Sequence, residues 1–280
     1  MDSCWKSKTI DSISVEIWTR VFAIFCGFNG PKSGENLDRL FLVTDSTNNF
    51  FRARLKPQLV MVKAVIRDQM LHLQFKNLVC KVALTKVASR QQASTLTNVR
   101  GQIYEAFDCG KEAAQFFSQI MGEPSKLLMH QRSIVVQKAK STFSDEFPYM
   151  IATQSSLNEL NQTLNEKDFC DVSNANMRPN IVVEQCQAWD EQKWEEIQFG
   201  ESLYTQNVAM NCVEPCFRCL MTTIDPQEGK LHPTHEPLVT LRSVSTVMDG
   251  NAPSFGVYAN AKKEGFIYVG MTVWARYKNE

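Results

Sequence analysis

The chain has 280 residues, 30 Lys+Arg against 30 Asp+Glu, 44% hydrophobic residues and 9 cysteines. A chain of this size and apolar content buries a core and forms one large domain or two ordinary ones, so a mainly disordered state is excluded. Balanced charge excludes a global attraction to nucleic acid or anionic lipid. The longest apolar run, residues 21–28, is far short of the roughly 20 residues that a membrane helix needs.

The first residues, Met1 to Lys6, lack the basic-then-apolar layout of a secretory signal, and the odd, scattered cysteines do not read as a disulfide framework. An intracellular, reducing compartment is expected. In chain order, residues 59–67, 71–75 and 79–87 alternate apolar and polar positions between breakers, which predicts half-buried antiparallel strands. Residues 110–121 put Ala113, Phe116, Phe117 and Ile120 on one helical face, with Asp108 to cap and Gly122 to stop the helix. Residues 131–145 are polar and weakly patterned, and read as a connection between two halves. A capping box at Ser156 and Glu159 followed by Leu157, Leu160 and Leu164 predicts a second helix. Strands are expected at 181–183, 205–210, 220–224 and 266–274, the last bent at Gly270. The sum is a mixed α/β, β-dominated protein. Its expected division is 1–130, a connection at 131–144, and 145–277.

The densest chemical signal is Cys212, Cys216 and Cys219 followed by His232 and His235. The spacing nearly spells a Cys2His2 zinc finger, but Pro233 between the histidines and the turn-forming 225–229 stretch oppose a helix there. The alternative is that one thiolate, Cys219 beside Arg218, is a soft ligand to a transition metal held mainly by another group. Cys212 and Cys216 then read as small core residues. Arg54 and Arg178 each lie near a proline, and a guanidinium held at a strand mouth can grip a phosphate or flat heterocycle through two parallel hydrogen bonds. Gly27, Gly30 and Gly34 lack the flanking pattern of a phosphate loop, and neither His72 nor His130 accompanies a nucleophilic serine. Trp194 reads as the packing anchor of an acidic surface turn over residues 189–196.

Taken in order, Asp38-Arg39-Leu40-Phe41, Arg54 and Pro57, Asp108-Cys109-Gly110, Ser156-Leu157, Arg178-Pro179-Asn180-Ile181, Arg218-Cys219 with Thr222-Thr223 and Asp225-Pro226, and Phe255-Gly256 with Tyr258 resemble one family. It is the mitochondrial amidoxime-reducing components, molybdenum enzymes of the MOSC superfamily. The resemblance implies an N-terminal MOSC β-barrel-like domain, a C-terminal MOSC β-barrel domain and a molybdopterin cofactor between them. It makes Cys219 the molybdenum ligand and catalytic centre. It makes Arg54, Arg178, Phe217, Arg218 and Tyr258 cofactor contacts, together with Ser144, Asp145 and Ser3.

By the same resemblance the reaction is two-electron reduction of N-hydroxylated substrates, amidoximes and hydroxylamines. Electrons would come from cytochrome b5 and its NADH-cytochrome b5 reductase. Pyridoxal phosphate and nucleic acid are not expected. The mitochondrial outer membrane is the location that kinship implies, although the anchor segment of the animal proteins is not seen in the sequence, which favours a cytosolic form. The N-terminus departs from the family. Where its members carry a first strand ending Tyr-Pro-x-Lys-Ser-Cys, this chain has Met1-Asp2-Ser3-Cys4, so that strand is expected to be missing and a sheet edge unpaired. Phe147 and Glu146 stand where the family has hydroxyl residues. The competing reading is a non-catalytic or truncated MOSC-fold protein that binds cofactor weakly or not at all.

Overall fold

Strands whose two faces are both covered carry near-continuous apolar runs, and Tyr149–Thr153 and Ile181–Glu184 are of this kind up to their last residues. They pair in parallel and begin a closed seven-strand barrel. The structure is a computed structural model that describes residues 5–14, 20–89, 94–99, 101–130, 143, 147–202 and 208–278. From Ile181–Glu184 the ring continues through Trp5–Ser14, Thr272–Tyr277, Trp194–Phe199, Val208–Phe217 and Ala252–Lys263, which pairs back onto Tyr149–Thr153. Apart from the one parallel pair, these neighbours are antiparallel.

The expectation of a missing first strand is therefore corrected. Trp5–Ser14 sits between two strands, with Ile13 opposite Ile181 and Trp5 opposite Arg276. Its place is set by partners about 170 and 270 residues away, which no local pattern reveals.

Alternation along the ring separates two apolar clusters. Tyr149, Ile151, Val183, Trp194, Ile197, Phe199, Val257 and Val273 fill one. Met150, Ala152 and Phe255 join Leu157, Leu160 and Leu164 of the helix Gln154–Asn165 and Leu241 of the helix Leu238–Val244 in the other. The Tyr149 hydroxyl donates to the Gly27 carbonyl at 2.6 Å, tying the ring to Ala23–Gly27. That strand pairs with Gly30–Ser33 and Gly265–Tyr268.

The chain divides into two compact units: one of residues 1–33, 147–225 and 231–280, the other of residues 34–146 and 226–230. The second has an antiparallel sheet in the order Ser94–Val99, Gln102–Asp108, Ser125–His130, Phe41–Asp45, and a three-stranded sheet of Lys63–Arg67, Met70–Phe75 and Leu78–Ala83. The helix Lys111–Met121 buries Ala113, Phe116, Phe117 and Met121. As the sequence indicates, Gly122 ends it in the left-handed conformation, its N–H bonded to the Ser118 carbonyl. Asp108 does not cap this helix; its carboxylate accepts from the N–H of Gly110 at 2.8 Å.

Four further element expectations change. Pro57 opens a 3₁₀ turn, Pro57–Met61, so the strand expected at 59–67 shortens to Lys63–Arg67. The stretch 79–87 splits into the strand Leu78–Ala83 and the short helix Leu84–Ser89. The second helix starts earlier than its box suggests, because Thr153 is the cap that accepts from the Ser156 N–H, while Ser156 lies inside the helix. Residues 220–224 form a 3₁₀ turn, Leu220–Thr223, instead of a strand. Of the strand expected at 205–210, residues 205–207 lie outside the described residues, as do 131–142, 144 and 145 of the connection. The bend at Gly270 is present, between Gly265–Tyr268 and Thr272–Tyr277.

Candidate functional site

Residues 212 and 216 are four apart on one strand and in regular pairing would face the same way. A register shift between Cys212 and Glu214 breaks the pairing against Ala252–Lys263. A one-residue slip turns side chains to the other face. Accordingly Cys212 packs with the Trp194 cluster and Cys216 with the Met150 and Phe255 cluster. Burial pushes the Cys212 thiol up to about 12, as befits a core residue.

After Phe217 the chain leaves the ladder. The Arg218 N–H still donates to the Pro253 carbonyl at 2.8 Å. Cys219 then becomes the N-cap of the 3₁₀ turn, with its side chain exposed. The turn is held by hydroxyls bonding backwards. Thr222 Oγ1 donates to the Cys219 carbonyl at 3.1 Å and Thr223 Oγ1 to that of Leu220 at 2.8 Å, which draws the Thr-Thr pair away from strand geometry.

The Arg218 side chain runs back under this turn. Nη1 lies 2.7 Å from the Cys216 sulfur and 3.2 Å from the Met150 sulfur, and Nη2 donates to the Met177 carbonyl at 2.7 Å. Nε is inaccessible to solvent and has no partner among the described residues. No ion pair joins Arg218 to a carboxylate among the described residues. Burial works against the charge, but the surrounding Cys216, Tyr258 and Cys219 outweigh it and hold the guanidinium pKa above its usual value.

Met177 ends the short helix Asn174–Met177, and Arg178 follows it in the left-handed conformation at φ 60°. Non-glycine residues seldom adopt that geometry, so the arginine is held there by its surroundings. Buried Asn180 fixes the segment: its N–H donates to the Met150 carbonyl at 2.8 Å and its Oδ1 accepts the Met150 N–H at 2.9 Å. The Asn176 amide reaches the carbonyls of Thr222 and Ile224. The Arg178 segment thus meets the Cys219 turn. Tyr258 lies opposite Met150 on one side and Glu214 on the other, with its ring 5.4 Å from that of Phe147.

The first unit therefore brings Arg178, Phe217, Arg218, Cys219 and Tyr258 into one neighbourhood. Arg54 belongs to the second unit, exposed on the turn that precedes Pro57–Met61. Ser3, Ser144 and Asp145 lie outside the described residues. The His232 ring is engaged with neighbours other than the cysteines that a finger requires. The His232 Nδ1 meets Thr234 Oγ1 at 3.1 Å and the Glu236 N–H at 3.3 Å, and its ring packs edge-on to Phe169. Among the described residues no group of three or more His, Cys, Asp or Glu is placed to hold a metal. The donor set instead suits a ligand that brings most of its own metal coordination and carries negative charge. One exposed thiol stands beside a guanidinium with a buried N–H that has no partner among the described residues.

Sequence reasoning missed Glu191. Residues 189–196 are no surface turn, since Trp189, Asp190, Glu191, Gln192 and Trp194 are all buried. The packing role of Trp194 stands. The Glu191 carboxylate accepts from the hydroxyls of Thr153 (3.0 Å) and Ser156 (2.9 and 3.0 Å), and its pKa is raised to about 7 by burial. The usable signal was the Thr153 and Ser156 pair, two hydroxyls one helical turn apart.

The MOSC domain model matches residues 138–274, and the MOSC N-terminal beta barrel domain model matches residues 19–124. Mitochondrial amidoxime reducing component 2 of Bos taurus is 31% identical over 285 residues, covering 95% of this chain and 80% of that protein. Mitochondrial amidoxime-reducing component 1 of Mus musculus is 30% identical over 273 residues, covering 89% of this chain and 75% of that protein. The Homo sapiens component 1 is also 30% identical, over 89% of this chain and 76% of its own length.

Proposed function

The chain belongs to the amidoxime-reducing component family of MOSC-domain proteins, and on that premise we propose that it is a molybdenum-cofactor-dependent reductase of N-hydroxylated compounds. The observation that carries this reading is the exposed Cys219 thiol beside an arginine that no carboxylate among the described residues pairs with. Cys219 would supply the one protein ligand to molybdenum. Arg178 and Arg218 would bind the anionic part of the cofactor, with Phe217 and Tyr258 lining it. Arg54, Ser3, Ser144 and Asp145 keep the contact roles that the resemblance assigns. When bound, the metal and pterin supply the redox chemistry; the protein supplies ligand, orientation and charge compensation.

In the overall reaction an amidoxime takes up two electrons and two protons, its N–O bond breaks, and an amidine and water leave. Cytochrome b5, reduced by its NADH-dependent reductase, is the proposed electron donor, and the mitochondrial outer membrane the proposed location. Among the described residues no helix is long and apolar enough to cross a membrane. The test is NADH-driven reduction of benzamidoxime with cytochrome b5 and its reductase. The Cys219→Ala protein should lose more than roughly 100-fold in rate while keeping its fold, since removing even the supporting shell of a metal site costs ~10–100-fold. Undiminished turnover in the variant would overturn the assignment.

A further inference from the structure

Cys216 is fully buried, three residues before the exposed Cys219, and the proposed reaction gives it no part. Its surroundings nevertheless differ from those of an ordinary core thiol. The Cys216 sulfur, the Met150 sulfur and the Met177 carbonyl surround one end of the Arg218 guanidinium. A buried arginine is ordinarily paired with a carboxylate, which cancels its field. Here the described contacts are two sulfurs and a backbone oxygen, none of them a carboxylate. They orient the fork with no carboxylate partner among the described residues, and the Nε–H has no partner among them either. The bulge before Glu214 creates this arrangement, because it turns Cys216 out of the Trp194 cluster and onto the Arg218 side.

We infer that Cys216 is a positioning residue: its sulfur holds the Arg218 guanidinium in place where a carboxylate would capture it, so that the guanidinium is offered to an anionic ligand group. The inference rests on the proposal that this ligand is the molybdenum cofactor. A cysteine suits the task because its sulfur is a weak hydrogen-bond acceptor. A carboxylate in its place would capture the guanidinium, and alanine would leave it unheld.

The test uses the full chain produced in a host that makes the cofactor. Molybdenum per chain is measured after exhaustive dialysis, beside the urea midpoint, for the wild type and for Cys216→Ser, Cys216→Ala and Cys216→Asp. Loss of a hydrogen bond to a charged group is worth about a tenfold change or more in affinity. Cys216→Ala should therefore retain molybdenum about tenfold less well, and Cys216→Ser should recover most of that loss through its hydroxyl. Cys216→Asp should retain least although it supplies an acceptor. Retention by Cys216→Ala or Cys216→Asp equal to that of the wild type would overturn the inference. So would losses in all three variants that simply follow their urea midpoints. A wild-type protein without molybdenum would overturn the cofactor reading itself, and the positioning role with it.

Discussion

Replacing Gly256 by alanine should open the barrel where its last pair of strands closes it. Gly256 lies in Ala252–Lys263 at φ +77°, and a Cβ there would sit 2.7 Å from the Ile151 carbonyl oxygen and 2.8 Å from the Met150 Cε. The methionine tip can swing aside. The Ile151 oxygen cannot, because it belongs to the backbone of Tyr149–Thr153, where Ile151 pairs with Val257. A left-handed conformation costs an L-residue roughly 1–2 kcal/mol, and forcing atoms into a packed site adds roughly 1–3 kcal/mol. Together about 2–5 kcal/mol of stability should be lost. Gly270 provides the control: its φ is +89° and an added Cβ meets nothing within 4 Å, so Gly270→Ala pays only the backbone part. Trp189, Trp194 and Trp274 belong to the barrel-containing unit, so tryptophan fluorescence during urea unfolding follows that unit. The expected result is a larger destabilisation for Gly256→Ala than for Gly270→Ala, by about 1–3 kcal/mol. Equal effects, or a Gly256→Ala protein within about 1 kcal/mol of the wild type, would refute the close-approach argument.

Glu191 predicts a pH effect. Its folded pKa of about 7 exceeds the ordinary 4.5, so between these values the folded state holds the extra proton and stability falls as pH rises. The window spans about 2.5 pH units, or about 3 kcal/mol. The wild type should lose stability relative to Glu191→Gln between pH 4.5 and 7 in urea titrations; parallel curves would contradict the burial argument. Asn180→Ala should cost about 1–3 kcal/mol, because it leaves the buried Met150 N–H without its acceptor. The same change should loosen the Arg178 segment, read as faster amide exchange at residues 177, 178, 180 and 181, and unchanged exchange there would count against that anchor. Incubation with a zinc chelator should leave the urea midpoint unmoved, whereas a falling midpoint would revive the Cys216, Cys219, His232 and His235 finger.

Local patterns with a chemical stop were readable from the sequence. The helix ending at Gly122 is one, since amphipathic spacing and a left-handed glycine mark it independently. Long-range burial was not readable. Asp190, Glu191 and Gln192 look like surface residues until Thr153 and Ser156, more than thirty positions earlier, are brought against them. The Leu-Met-Thr-Thr run before Ile224 has strand composition, and only its hydroxyls bonding back to the Cys219 and Leu220 carbonyls make it a turn. For the candidate site, family resemblance names Arg178, Arg218, Cys219 and Tyr258. The cradle under Arg218 depends on a bulge and on the Met177 carbonyl, neither of which leaves a mark in sequence spacing.

The central claim is that Cys219 binds molybdenum as part of a cofactor, and elemental analysis of the purified protein beside Cys219→Ala tests it most directly. The account predicts about one molybdenum per chain in the wild type and its loss in a variant whose barrel still unfolds at the same urea concentration. A folded wild-type protein without molybdenum, or a variant that keeps the metal, would contradict it.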